Sequence, residues 1–323
     1  VDEFELIRRF FTRPSTDPGI LLGIGDDGAI VRPAKDRELV VVIDTLVEGV
    51  HFPPGMNPAD IGYRAVAVNL SDIAAMAATP RWMTLALTLT AANAEWLNAF
   101  STGLFEAADE HSIELIGGDT THGSQIVVTV QLTGDVQAAK ALRRSGAAAG
   151  DDIYVTGTPG DAAAGLALSL AGSINGTDER YLYRRFARPT ARVVFARRLA
   201  AFASAAIDLS DGLHADIEKL LTASERGGRI DVEMLPLSPE LLAVSGKDAA
   251  IDLALGGGDD YEIAFTAAPE QARAIRDLAA DLALRVTRIG AVLTTGGLQC
   301  FRHGQPFALK RSGYRHFGVD SDA

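Results

Sequence analysis

Apolar and polar positions fall into two rhythms along the chain. Leu39-Val-Val-Val-Ile43 is an unbroken run, mostly β-branched, and reads as a buried strand ending at Asp44. A helix is predicted to start near Asn57, a good N-cap, with Pro58 suited to its first turn. It runs to about Ala78, and Pro80 lies just beyond. Its Ile61, Ala65, Val68, Asp72 and Met76 recur at helical spacing and share one face, apolar except for Asp72. Strand, helix and strand follow over about 85–90, 94–111 and 126–134, with a short strand at 113–116. An Ala-, Gly-, Lys- and Arg-containing stretch from Val136 to Gly150 marks a boundary, giving domains 1–138 and 139–323. In the second, strands are predicted over 152–156, 205–209, 230–234, 261–266 and 285–293. Helices are predicted over 161–170, 189–203, 211–224 and 269–283, and a loop tail ends in Tyr314-Arg-His-Phe317. Both halves mix strands and helices, which predicts a two-domain α/β (α+β) protein.

Composition narrows the function classes. A formal charge of −12 argues against a general nucleic-acid binder, which needs a basic face. It leaves phosphate ligands open, because carboxylates can hold divalent cations that in turn hold phosphates. Cys300 is the single cysteine, so no internal disulfide can form, and it reads as a small buried hydrophobe. The start, Val1-Asp-Glu-Phe-Glu5, is acidic where a signal peptide is basic, and no apolar run approaches the ~18 residues of a membrane span. A cytoplasmic protein with no membrane partner is expected.

The position of the acids is more telling. Several sit beside glycine at predicted element ends: Gly23-Ile-Gly-Asp26-Asp27-Gly28, Gly117-Gly-Asp119-Thr-Thr-His-Gly123, Asp208-Leu-Ser210-Asp211-Gly212 and Gly256-Gly-Gly-Asp259-Asp260. Asp and Gly also favour turns for local reasons, but such a number exceeds what turns require. A carboxylate on a buried face, as predicted for Asp72, is costly unless paired or metal-bound. Its helical neighbours at 68, 69, 75 and 76 are Val, Asn, Ala and Met, so no cation stands at helical spacing. Bonds to backbone amides of another element are one solution, and a metal ligand is the stronger reading. Oxygen donors suit Mg²⁺. The chain has no His/Cys pair at zinc spacing, no Walker A sequence, no complete dinucleotide fingerprint and no protein-kinase signature. Asn69-Leu-Ser-Asp72 echoes Asp208-Leu-Ser-Asp211, too short a match to be a repeat.

These segments, with Asp44-Thr-Leu-Val-Glu-Gly-Val-His51-Phe52 and Tyr314-Arg-His-Phe317, resemble the thiamine-monophosphate kinase family, in order, from about residue 3 to 317. The resemblance implies a fold like that of aminoimidazole ribonucleotide synthetase. There the N-terminal domain binds metal and ATP and pairs with its copy to make a dimeric β-barrel, and the C-terminal domain is a layered α/β structure. It implies ATP-dependent phosphorylation of thiamine monophosphate to thiamine diphosphate, with several Mg²⁺ ions. By matching position, Asp27, Asp44, Asp72, Asp119, Asp208 and Asp211 would hold Mg²⁺, with Asp72 and Asp211 at the catalytic centre. Gly118, Asp119, Arg144 and Ser210 would contact ATP. His51, Asp259 and Tyr314 would lie at the acceptor site. Two departures stand out: Val42-Ile43 replaces a frequent Ser-Thr before Asp44, and Asp259-Asp260 replaces a frequent Glu-Asp.

Overall fold

The structure is a computed structural model and describes residues 3–310 and 313–314, so Arg315-His-Phe317 lies outside the described residues. The chain divides into two compact units, Val1–Ala141 with Ala191–Arg197, and Leu142–Thr190 with Arg198–Ala323. The expected domain junction fell at 138/139, and the separate segment at 191–197 was not foreseen.

The first unit opens with a short helix α1 (Glu3–Leu6), a π-helical turn (Ile7–Phe11) and the ribbon β1 (Ile20–Leu22) and β2 (Ile30–Val31). Its main sheet comes from β3 (Arg37–Val47), β4 (Thr79–Leu89), β5 (Glu114–His122) and β6 (Val127–Gln137), and its large helices are α2 (Pro58–Ala75) and α3 (Ala94–Asp109). The sheet order is β3-β6-β4-β5, with β4 and β5 parallel and the other pairs antiparallel. It is open, and no closed barrel forms among the described residues of the chain.

Asn57 caps α2 as predicted, its Oδ1 accepting from the Ala59 N–H at 2.9 Å. Helix α2 packs on β3, β6 and β4, and α3 packs on α2. Two glycines permit that close crossing. A Cβ on Gly62 would stand 2.1 Å from the Phe100 carbonyl, and one on Gly103 would stand 1.8 Å from that of Ala59. Gly103→Ala is therefore expected to cost about 1–3 kcal/mol through overpacking. Thermal unfolding checks this, and an unchanged midpoint would contradict so close a crossing.

The second unit is built on β7 (Asp152–Thr156), β8 (Ala205–Asp208), β9 (Gly227–Asp231), β10 (Ile263–Ala267), β11 (Val286–Leu293), β12 (Leu298–Arg302) and β13 (Gln305–Pro306). The seven strands run in the order β13-β12-β9-β11-β7-β10-β8. Only β12 with β9 is parallel. Its helices are α4 (Asp161–Leu170), α5 (Thr177–Ala187), α7 (Leu213–Ala223), α8 (Pro239–Ser245), α9 (Lys247–Gly256) and α10 (Ala272–Asp281), with α6 (Val193–Leu199) straddling the division of the chain. Strands β7, β8 and β10 are buried throughout, and their Ile153, Val155, Ile207 and Ala264 join a core with Leu213, Ile217 and Leu220 of α7. Cys300 is buried there, with its thiol pushed up to about 11 by desolvation, so it behaves as an inert apolar residue. No described helix is long and apolar enough to cross a membrane.

Candidate active site

In the first unit, two glycine-rich segments face one cleft of about 480 Å³. One is the turn from Gly23 to Gly28, which brings Asp26 and Asp27. The other is β5, which brings Gly118 and Asp119, while Phe11 and Leu85 supply apolar wall. The Asp27 N–H donates to Asp26 Oδ1 at 2.8 Å, so the turn is stiffened by its own carboxylate. Asp26, Asp27 and Asp119 are exposed at the cleft. Gly118 lies against β4, where a Cβ would meet the Leu85 carbonyl at 2.0 Å.

Contrary to the sequence reading, Gly117 to His122 is not a loop after the strand but part of β5, paired with β4 from Thr84 to Leu89. Parallel pairing fixes the backbone there, so Gly118 serves close approach and not a turn, while Gly117 has room for a side chain.

Asp72 occupies a distinctive place. Every residue of α2 from Ile61 to Ala75 is buried except Asp72, which is half-buried. Over that stretch the helix is therefore wrapped almost all round, and its one partial opening carries a carboxylate. Asp44 alternates with Val40 and Leu46 on the face of β3 packed by α2. Burial pushes its carboxyl up, and the positive charge of Arg64 pulls it back down. Arg64 is fully buried on α2 and was missed in the sequence, where a helical arginine normally reads as surface. His51 sits in a turn after β3, its Nδ1 accepting from the Val47 N–H at 3.1 Å. That bond leaves Nε2 to carry the proton of the neutral ring.

In the second unit, Asp208 ends β8 and is buried, and Ser210 and Asp211 occupy the turn into α7. The Gly256–Tyr261 loop lies against this turn. The Asp259 N–H donates to the Ser210 carbonyl at 2.9 Å and the Tyr261 N–H to the Leu209 carbonyl at 2.8 Å. A Cβ on Gly258 would stand 2.5 Å from the Ser210 oxygen, so only glycine admits this approach. The Tyr314 N–H donates to the Asp211 carbonyl at 2.9 Å. The structure thus brings Asp208, Ser210, Asp211, Asp259 and Tyr314 together in this unit. Arg144 has an exposed side chain, and its carbonyl accepts from Ser224 Oγ at 2.9 Å.

Asp259 and Tyr261 have φ of 70° and 51°, a strained region for non-glycine residues. Between them, Asp260 is fully buried, and its carboxylate accepts from the Gly160 N–H at 2.7 Å and the Ala162 N–H at 3.3 Å at the start of α4. Burial pushes the Asp260 carboxyl well up, partly countered by the Gly160 bond and by Arg185. Arg185 also pairs with the buried Glu262 at 2.7 Å.

Among the described residues, no group of three or more His, Cys, Asp or Glu stands ready to hold a metal ion. The donors at the cleft are nonetheless hard carboxylate oxygens. Such a set fits Mg²⁺, which takes one or two carboxylates and fills its shell with water and phosphate oxygens. It does not fit a closed protein cage of the zinc type.

Comparison with known proteins agrees along the chain's length. The AIR synthase related protein N-terminal domain model matches residues 25–136, and the C-terminal domain model matches 148–302. Thiamine-monophosphate kinase of Salmonella typhimurium is 45% identical over 322 residues, covering 98% of each chain. The crystal structure of thiamine-monophosphate kinase from Stenotrophomonas maltophilia superposes with a TM-score of 0.85 at 47% identity, covering 90% of this chain and 93% of that one. The structure of AaThiL complexed with AMPPCP and TMP gives a TM-score of 0.79 at 34% identity, over 91% and 92% of the two chains. The two-domain α/β fold is that of the AIR-synthase-related proteins. The chain belongs to the thiamine-monophosphate kinase family of enzymes.

Proposed function

We propose that the protein transfers the terminal phosphoryl group of ATP, directly and in line, to thiamine monophosphate, giving thiamine diphosphate, with several Mg²⁺ ions bound. The observation that carries this is the first unit's cleft, where the Asp26-Asp27 turn faces the Gly118-Asp119 stretch of β5. A relative that binds AMPPCP and TMP together supports a nucleotide and a phosphorylated acceptor as the ligand pair.

The acceptor is a phosphate monoester, already anionic near neutral pH because its second pKa is about 6. It needs no strong general base. The obstacle is repulsion between two anions, so positioning and charge neutralisation should dominate. Bound Mg²⁺ would neutralise the phosphate oxygens of both partners. Asp27, Asp44, Asp72 and Asp119 on the first unit, and Asp208 and Asp211 on the second, are the proposed ligands. Asp44 would serve while beside Arg64, and Asp72 and Asp211 would lie nearest the reacting atoms. Gly118, Asp119, Arg144 and Ser210 would hold ATP. His51, with Nε2–H as donor, would contact the acceptor together with Asp259 and Tyr314. The inert Cys300 offers no covalent route, in keeping with direct transfer.

A second copy would pair along the open face of the first unit's sheet. There the alternate β3 residues Leu39, Val41 and Ile43 are 44%, 63% and 64% exposed. In this reading Ile43, in place of a hydroxyl residue, serves the homodimer contact.

Arg144→Ala should raise the KM for ATP about tenfold or more, with the acceptor KM little changed, because a charge-assisted phosphate contact is worth about 1.5–3 kcal/mol. Steady-state kinetics checks it, and an effect confined to the acceptor KM would reverse the assignment. The overall reading is tested by supplying ATP and Mg²⁺ with thiamine monophosphate, and with thiamine as control. Thiamine diphosphate is expected from the first. Its absence, with no ADP formed, would refute the reading.

A further inference from the structure

The turn carrying Ser210 and Asp211 follows a strand, contains glycine and opens a helix, the arrangement that elsewhere cradles phosphate on free backbone amides. Here those amides are already taken. Asp216 lies one turn into α7 with its side chain almost fully buried. Its Oδ2 accepts from the backbone N–H groups of Ser210 at 3.0 Å, Asp211 at 3.0 Å and Gly212 at 3.1 Å. Its Oδ1 accepts from Lys219 Nζ at 2.7 Å, and the same ammonium donates to Asp211 Oδ2 at 2.5 Å. Gly212 makes the bend at φ 128°, where a Cβ would press on Gly256 and Gly257 at 3.2–3.3 Å.

The two carbonyls of the turn are also engaged. That of Ser210 accepts from the Asp259 N–H, and that of Asp211 from the Tyr314 N–H. With both sides of the backbone occupied, the turn offers a ligand its side chains: the Ser210 hydroxyl and the Asp211 carboxylate, one oxygen of which also holds Lys219.

We propose that Asp216 is a positioning residue that supplies an internal anion to the start of α7, so that the turn presents the Asp211 carboxylate to a divalent cation instead of its amides to a phosphate. The proposal rests on the reading of Asp211 as a Mg²⁺ ligand. Lys219 completes the device by tying the buried carboxylate to the presented one.

Asp216→Asn keeps the volume and weakens the acceptor. It is expected to raise the Mg²⁺ concentration for half-maximal activity by ~10- to 100-fold, the scale for partners that orient a metal ligand. The KM for thiamine monophosphate should move by less than about threefold, and the amides of residues 210–212 should exchange faster than in the wild type. An unchanged Mg²⁺ requirement, or unchanged exchange at 210–212 in a folded variant, would overturn the proposal.

Should the variant fail to fold, the wild-type protein decides. Without ligand, the amides of 210–212 should be protected, and adding inorganic phosphate alone should leave their exchange unchanged. Amides that exchange freely until the anion is added would mean that they face it, and the proposal fails. If wild-type protein made no thiamine diphosphate, the functional reading would fail, while the amide measurement would still judge the role of Asp216.

Discussion

Asp72→Asn is expected to lower turnover by at least ~10²-fold, the scale of removing one strong electrostatic stabiliser, with little change in stability. The substitution is isosteric and removes a charge. The site is the single half-buried position in a helix otherwise buried from Ile61 to Ala75, so no core volume is disturbed. A hard carboxylate oxygen at that opening is well placed to hold a cation. Steady-state kinetics at saturating Mg²⁺, with a thermal melt as control, checks it. A kcat near that of the wild type would remove Asp72 from the catalytic centre.

The largest stability effect is expected from Arg185→Met, a loss of about 3–5 kcal/mol, as when one partner of a buried ion pair is removed. At about 2.1 cal/mol/K of unfolding entropy per residue, that corresponds for a chain of this length to a fall of roughly 4–8 °C in the unfolding midpoint. The guanidinium pairs with Glu262, which is fully buried, and its charge also acts on Asp260 and Asp161. Without it, Glu262 retains the Thr156 hydroxyl at 2.6 Å, and the buried Asp260 and Asp161, which repel each other, lose a compensating charge.

The pH dependence follows from the same cluster. Burial pushes the carboxyls of Asp161 and Asp260 above the ordinary 3.8, so the folded protein holds their protons more tightly than the unfolded chain. Stability from these groups is fully present below that value and is lost as pH rises through their folded values. Removing Arg185 raises them further, so the deficit of the variant should be larger at about pH 8 than at about pH 5. Thermal unfolding at both pH values checks this. A midpoint equal to that of the wild type at both would mean that the arginine contributes no net stability.

Much of this arrangement was legible in the chain. Asn57 and Pro58 announced α2, and Asp72 stood out as a carboxylate among apolar neighbours at helical spacing. The strand at Asp152–Thr156 and the helix at Asp161–Leu170 have the predicted bounds. What escaped depended on distant partners. Gly117 and Gly118 signal a turn locally, yet pairing with β4 draws them into a strand. Helix α5 was passed over because its run of charges hides Leu182 and Phe186, the buried pair one turn apart. The helix predicted over 189–203 is instead the shorter α6, Val193–Leu199. The echo of Asn69–Asp72 at Asp208–Asp211 proves to be two devices, one inside a helix and one at a strand end. Neither Arg64 nor Asp216 stands out in the sequence, because their roles exist only once the sheet and the turn close around them.

The central claim is that aspartates of this chain hold Mg²⁺ beyond what the nucleotide carries. It is tested most directly by following thiamine diphosphate formation as free Mg²⁺ is raised after ATP is already saturated with the ion, in the wild type and in Asp119→Asn. The account predicts that the wild-type rate keeps climbing and that the variant needs more Mg²⁺ to reach half its maximum. A wild-type rate already complete at that starting point, with the same curve for the variant, would contradict it.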